Sequence, residues 1–284
     1  MDLSPITVPY HLGRPEVGAA RGPDRILQAV DARRLDLPRI RVAPSARFAN
    51  EVAATMNVDA DLAVRVRQEL ASGRTPVAIS ADCISCLGTL GGLMTGVDAR
   101  AERVGVVWLD AHGDFNTAAS SPTGYLDGMA LAAAVGREWG TVAAGIPGFR
   151  PLDPANVIHL GGRDFDQGEA VRLEEADVLL VRPSELKTVT ANLDRAFGSL
   201  AGRVDAVYLH VDLDVLDPSA GIANAYAAAG GLSVEELRVV LRACLAKLPV
   251  RAVAFTAYDP DFDPAGTVAD VAAGLIEEFA AVAA

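Results

Sequence analysis

The sequence predicts an α/β fold: a single-domain, doubly wound, mostly parallel eight-stranded sheet with helices on both faces, a three-layer α/β/α arrangement. Three observations predict it. Short apolar runs alternate with longer helical patterns along the 284 residues. The runs are apolar at nearly every position, as strands covered on both faces should be. No linker, repeat or low-complexity stretch divides the chain, so residues 1–284 read as one domain. A β–α alternation of this length implies parallel strands joined by helical crossovers.

Taken in order, strands are expected at Ile6–Val8, Ile40–Ala43, Pro76–Ser80, Val104–Leu109, Asn156–Leu160, Val178–Val181, Ala206–Leu213 and Val253–Ala257. Helices are expected at Pro23–Leu35, Val52–Ala71, Ser184–Leu200, Ser233–Leu245 and Val268–Val282. Pro23 suits a first helical turn. Asn50 precedes the second helix, and Ser184 and Ser233 are candidate caps; Ser233-Val234-Glu235-Glu236 has the capping-box pattern. The charge-free stretch Cys83–Val97 is broken by four glycines and lacks the length of a membrane span.

Composition narrows the function. Apolar residues make up 51 % and charged ones 22 %, which excludes wholesale disorder. With 25 basic and 37 acidic residues the net charge is −12, which argues against nucleic acid or an anionic membrane as partner. It leaves room for a cationic small substrate or metal ions. Cys83, Cys86 and Cys244 are too few, and odd in number, for a disulfide framework. The N-terminal MDLSPITVPYHLGRPE has no basic start followed by a long apolar region, so a cytoplasmic enzyme without signal peptide is expected.

Sheets of this kind bind ligands beyond the carboxyl ends of their strands, and several strand ends here carry metal-ligand residue types. Trp108-Leu109-Asp110-Ala111-His112-Gly113-Asp114-Phe115-Asn116 runs from an apolar strand into Asp-x-His-x-Asp. His210-Val211-Asp212-Leu213-Asp214 places two aspartates on one side of an extended strand. Like charges buried that close are costly unless a cation neutralises them. Asp217 precedes Pro218 and reads as a turn former. At Ile79-Ser80-Ala81-Asp82-Cys83 a strand gives way to a helix, with Asp82 or Cys83 facing the same edge; Cys86 reads as a small core hydrophobe. Asp110, His112, Asp114, Asp212 and Asp214 together can hold two divalent cations, and oxygen donors suit Mn2+. Such a pair activates water near neutral pH for attack on a trigonal carbon. The blander readings are a solvated acidic turn, helix caps and salt bridges. His11, His159 and His210 read as structural, His159 and His210 as core histidines inside strands; Trp108 and Trp139 read as packing.

These motifs resemble the ureohydrolase family of arginase, agmatinase and relatives. Asp110-Ala111-His112-Gly113-Asp114-Phe115-Asn116 and Asp212-Leu213-Asp214-Val215-Leu216-Asp217-Pro218 carry the resemblance. Val17–Pro23, Gly162–Glu169 and Gly230–Ser233 extend it over most of the chain. It implies an oligomer, a trimer or hexamer, that hydrolyses guanidino compounds with two metal ions, most often Mn2+. Asp110 and Asp212 would bridge the ions as the catalytic carboxylates. Asp114 and the residue at Cys83 would complete one ion, and His112 and Asp214 the other. Asn116 would face a substrate α-carboxylate, Asp166 and Glu169 its α-amino group, with Tyr125 alongside.

Three departures stand out. Cys83 occupies the position of a metal-binding histidine, and a thiolate there is softer and anionic. Asp127, in Gly124-Tyr125-Leu126-Asp127-Gly128-Met129, stands where the family has a proton-shuttling histidine; a carboxylate does this only with a raised pKa. Ala257 replaces a glutamate that pairs with the guanidinium, leaving Asp259 or Asp261 to reach in. A cysteine in place of that histidine resembles the branch of the family that acts on Nω-hydroxy-L-arginine. The expected activity is therefore hydrolysis of a guanidino or N-hydroxyguanidino group. Alternatives are a degenerate homologue acting as a binding partner, or a hydrolase of a formimino C–N bond.

Overall fold

The computed structural model describes residues 1–44, 50–96, 103–186 and 191–281. In chain order the strands are β1 (Leu3–Val8), β2 (Tyr10–His11), β3 (Arg14–Pro15), β4 (Ile40–Arg41), β5 (Thr75–Ser80), β6 (Val104–Leu109), β7 (Val157–Leu160), β8 (Leu179–Val181), β9 (Ala206–Asp212) and β10 (Val250–Thr256). The helices are α1 (Gly22–Ala32), α2 (Glu51–Ala71), α3 (Cys86–Gly96), α4 (Ala130–Ala134), α5 (Gly140–Ala143), α6 (Glu169–Glu175), α7 (Pro183–Leu186), α8 (Ala191–Ala201), α9 (Val234–Lys247) and α10 (Thr267–Ala281). β2 and β3 form a small antiparallel hairpin. The other eight strands form one sheet in the order β4-β1-β5-β10-β9-β6-β7-β8, and every pairing in it is parallel.

Alternation along each strand feeds two cores. Val106 and Trp108 of β6 and Tyr208 of β9 join Leu62 and Val66 of α2 and Leu87 and Leu90 of α3 on one face. Val107, Leu109, Val207 and Leu209 join Ile26 of α1, Phe197 of α8, Leu237 of α9 and Phe279 of α10 on the other. Burial on both faces is why these strands carry no polar alternation. The glycines of α3 have a packing reason: a Cβ on Gly92 would lie 2.5 Å from Val66 Cβ, so glycine lets α3 settle onto α2.

The eight expected strands all form, with ends shifted by a few residues. Asn50 caps α2 by accepting from Ala53 N at 2.8 Å, and Ser233 and Glu236 make the reciprocal capping box of α9. The helix expected over Ser184–Leu200 is represented by α7 and α8; residues 187–190 between them, and the expected ends at Val97 and Val282, lie outside the described residues. Among the described residues no helix is long and apolar enough to cross a membrane. β5, β10, β9 and β6 are consecutive in the sheet, so the loops leaving their carboxyl ends open side by side.

Candidate metal centre

Asp110 follows β6 directly. Its Oδ1 accepts from His112 N at 2.7 Å and its Oδ2 from Trp108 Nε1 at 3.0 Å, so an indole that reads as packing in the sequence also orients a carboxylate. Asp212 ends β9; its Oδ1 accepts from Asp214 N at 2.7 Å and its Oδ2 lies 3.0 Å from Cys83 Sγ. Asp214 Oδ1 accepts from Ala111 N at 3.3 Å and Oδ2 from Asn224 Nδ2 at 3.0 Å. His112 Nδ1 sits between Asp110 Oδ1 at 3.4 Å and Asp214 Oδ2 at 3.3 Å. Asp114 adopts a left-handed backbone (φ 49°), and its buried Oδ2 has no hydrogen-bond partner among the described residues. Donor atoms of Asp110, His112 and Asp214 all lie within 4.8 Å of one another, as do those of Cys83, Asp110 and His210.

Asp110, Asp114, Asp212 and Asp214 are all buried, and their electrostatics follow. Burial raises the Asp110, Asp114 and Asp212 carboxyls, and the charges of neighbouring aspartates raise them further. Burial alone would raise Asp214 too, but His112 and Asn224 hold it down at about 2. His112 is driven the other way: burial would lower it, and Asp110 and Asp214 together push it far up. Burial and the surrounding carboxylates raise the Cys83 thiol well above its ordinary value. Among the described residues no lysine or arginine pairs with these four carboxylates. The guanidinium of Arg163 goes instead to main-chain oxygens: Asp214 and Ala228 at 2.8 Å, Leu216 at 3.1 Å, Gly161 at 3.2 Å and Val215 at 3.3 Å. Crowded, buried carboxylates with an unpartnered oxygen, an imidazole among them and no lysine or arginine paired to them make a donor set fitted to divalent cations.

Near this cluster Asn116, Asp166, Glu169 and Arg172 form a hydrogen-bonded group. Asn116 donates to Asp166 Oδ2 at 2.7 Å and accepts from Arg172 at 2.8 Å. Glu169 accepts from Phe115 N at 2.9 Å and Asp166 N at 3.1 Å. Gly113 makes room for it, since a Cβ there would lie 2.6 Å from the Glu169 carboxyl carbon. The rings of His11, Tyr125, Tyr226 and His112 follow one another at centroid spacings of 6.3, 5.8 and 6.3 Å. Asp127 Oδ1 accepts from Ile84 N at 2.8 Å; burial first, and then the Asp82 charge, raises its carboxyl well above the usual range. His11, which reads as structural in the sequence, donates from Nδ1 to Asp82 Oδ1 at 2.6 Å, and that contact raises it. Asp259 turns the other way, 3.9 Å from Arg21, with its Oδ1 accepting from Asp261 N at 3.0 Å. Ala257, at φ 60°, gives its carbonyl to Asn224 at 2.9 Å.

Carboxylates and an imidazole gathered at the carboxyl edge of a parallel sheet form the kind of donor set that metal-dependent hydrolases use. The comparisons agree. A match to the Arginase family spans residues 2–281. The arginase of Bacillus caldovelox is 31 % identical over 293 residues, covering 96 % of each chain; its native structure superposes with a TM-score of 0.84 at 28 % identity, again over 96 % of both chains. An N(omega)-hydroxy-L-arginine amidinohydrolase of Streptomyces lavendulae is 36 % identical over 138 residues, 49 % of this chain and 45 % of that protein. The chain belongs to the arginase family. It is an enzyme of the ureohydrolase class, whose reaction is hydrolysis at guanidino groups.

Proposed function

We propose that the protein hydrolyses the C–N bond of a guanidino or N-hydroxyguanidino group with two divalent cations, at least one of the Mn2+ type, and that Nω-hydroxy-L-arginine is its substrate, with hydroxyurea as product. The observation that carries the metal reading is the buried cluster of Asp110, Asp114, Asp212 and Asp214, which among the described residues has the His112 imidazole beside it but no lysine or arginine paired to it. Asp110 and Asp212 would be shared between the ions, Asp114 and Cys83 would serve one, and His112 and Asp214 the other. When bound, the ions supply Lewis-acid stabilisation and a water that ionises near neutral pH.

The remaining residues bind and move protons. Asn116, Asp166 and Glu169 receive the amino-acid end of the substrate, and the paired rings of Tyr125 and Tyr226 stand beside it. Asp127, fixed through Oδ1 by Ile84 N and with its carboxyl raised by burial, is the group that delivers a proton to the departing amine. His11, anchored by Asp82, is the adjacent group that exchanges that proton with solvent. Ala257 offers no charge to a guanidinium, which favours the less basic hydroxyguanidine. The chain acts as a cytoplasmic homo-oligomer, a trimer or hexamer, on the strength of the family resemblance.

The test is release of urea and hydroxyurea by Mn2+-loaded protein from L-arginine, agmatine and Nω-hydroxy-L-arginine, with a formimino amino acid as the fourth substrate. Hydroxyurea release with the highest kcat/KM of the panel is expected. Higher kcat/KM on arginine overturns the substrate, and no turnover of any guanidine overturns the activity.

A further inference from the structure

We propose that His210 is itself a metal ligand, completing with Cys83 and Asp110 a sulfur–nitrogen–oxygen donor set that selects a cation such as Zn2+ over Mn2+ at this end of the centre. The inference rests on the metal-hydrolase reading and assigns one of its two sites. His210 and Asp212 stand two residues apart on β9 and so share a side of the strand. The imidazole reaches the same space as the Cys83 thiol and the Asp110 carboxylate, with the three donor atoms mutually within 4.8 Å and all three residues buried. Donors around tetrahedral zinc lie roughly 3.2–3.8 Å apart, given Zn–S near 2.3 Å and Zn–N near 2.0 Å. Side-chain adjustments of about an ångström close the set.

The surroundings of His210 match those of a ligating histidine. Ligating imidazoles almost always bond a partner through their other nitrogen, which fixes ring and tautomer. His210 Nδ1 lies 2.7 Å from Tyr208 Oη. The tautomer that donates there leaves the Nε2 lone pair on the side of Cys83 and Asp110. The ring is clamped against Trp108, 3.5 Å away and within 7° of parallel, and Trp108 Nε1 also bonds Asp110 Oδ2. One indole therefore orients two of the three donors. Thr256 Oγ1 stands 3.2 Å from Nε2 and 3.2 Å from Cys83 Sγ. Its hydroxyl can turn onto the thiolate once Nε2 is engaged. Asp212 Oδ2, 3.0 Å from Sγ, is placed to supply the fourth donor. Thiolate and imidazole suit Zn2+, whereas Mn2+ prefers oxygen.

The test uses full-length protein stripped of metal and titrated with Zn2+, Mn2+ and, as a chromophore, Co2+. Co2+ in the wild type is expected to give a thiolate charge-transfer band in the near ultraviolet and the intense visible bands of a tetrahedral site. His210→Gln should weaken Zn2+ binding at least about tenfold, leave Mn2+ within roughly twofold and diminish the visible bands. Tyr208→Phe, which keeps the imidazole, should weaken Zn2+ by a factor on the order of ten. Far-ultraviolet circular dichroism reports folding. If His210→Gln does not fold, X-ray absorption on His112→Asn protein with one equivalent of zinc decides, because His210 is then the remaining imidazole of the centre. One sulfur and one imidazole in the zinc shell support the assignment. Sulfur without imidazole, or a folded His210→Gln with unchanged Zn2+ affinity and cobalt spectrum, overturns it alone. A wild type that binds no divalent cation overturns this assignment and the proposed function together.

Discussion

Replacing Arg163 by methionine keeps much of the aliphatic stem and removes a half-buried guanidinium that bonds the carbonyls of Gly161, Asp214, Val215, Leu216 and Ala228. Three of those carbonyls belong to the loop that carries Asp214. A hydrogen bond to a charged group contributes about 1.5–3 kcal/mol, and a buried carbonyl left without a donor costs about 1–3 kcal/mol. The longer hydrogen bonds are weak and water can reach part of the site, so the terms do not add. Removing the two short ones, to Asp214 O and Ala228 O, gives about 3–5 kcal/mol as the expected destabilisation. For a chain of this size that corresponds to a melting point lowered by roughly 6–20 °C. Equilibrium urea unfolding of metal-free protein, followed by circular dichroism, measures the stability change; calorimetric titration with Mn2+ measures the effect on the site. Arg163→Lys should recover only part of the stability, since an ammonium cannot match a planar five-donor fork. A destabilisation below about 1 kcal/mol with unchanged Mn2+ affinity would refute the view that Arg163 holds this loop.

Asp127→Asn preserves an oxygen for Ile84 N and removes the titrating carboxyl; kcat should fall about 10²- to 10⁴-fold with the melting point held, measured by product release. Chelation should lower the melting point, and re-addition of metal at a hundred times its Kd should restore about 2.7 kcal/mol, read by scanning calorimetry. Glu69 accepts from Arg74 Nε at 2.6 Å and Ser4 Oγ at 2.7 Å, and Arg74 first of all holds its carboxyl below the usual range. A depressed folded-state pKa stabilises above the unfolded value, near 4.3, and that contribution is lost as pH falls through the folded value. Glu69→Gln should therefore be about 1–2 kcal/mol less stable at pH 7, discounted for the partly exposed Arg74, and the difference should shrink in urea titrations as pH falls through the folded value.

What the sequence discloses about the centre follows from where its groups sit. Asp110, His112, Asp114, Asp212 and Asp214 are adjacent to strand ends, so residue type and spacing reveal them, as Ser233 and Glu236 reveal the start of α9. Arg163 leaves no comparable sign, because its partners are carbonyl oxygens that every residue has. His210 is hidden inside an apolar strand, and its one hint is the shared side with Asp212. The orientation of Asp259 toward Arg21 depends on a long-range pair formed when the loop after β10 meets the segment before α1. The backbone reversals at Asp114 and Ala257 are fixed by tertiary contacts, since neither residue type demands a left-handed conformation.

Trp108 is one of two tryptophans in the chain, and it is the one bonded to Asp110 and stacked on His210. Trp139 lies apart from that cluster, at the start of α5. The enzyme thus carries an intrinsic fluorophore against its candidate metal centre, and emission from Trp108 offers a dye-free, real-time gauge of whether ions load there.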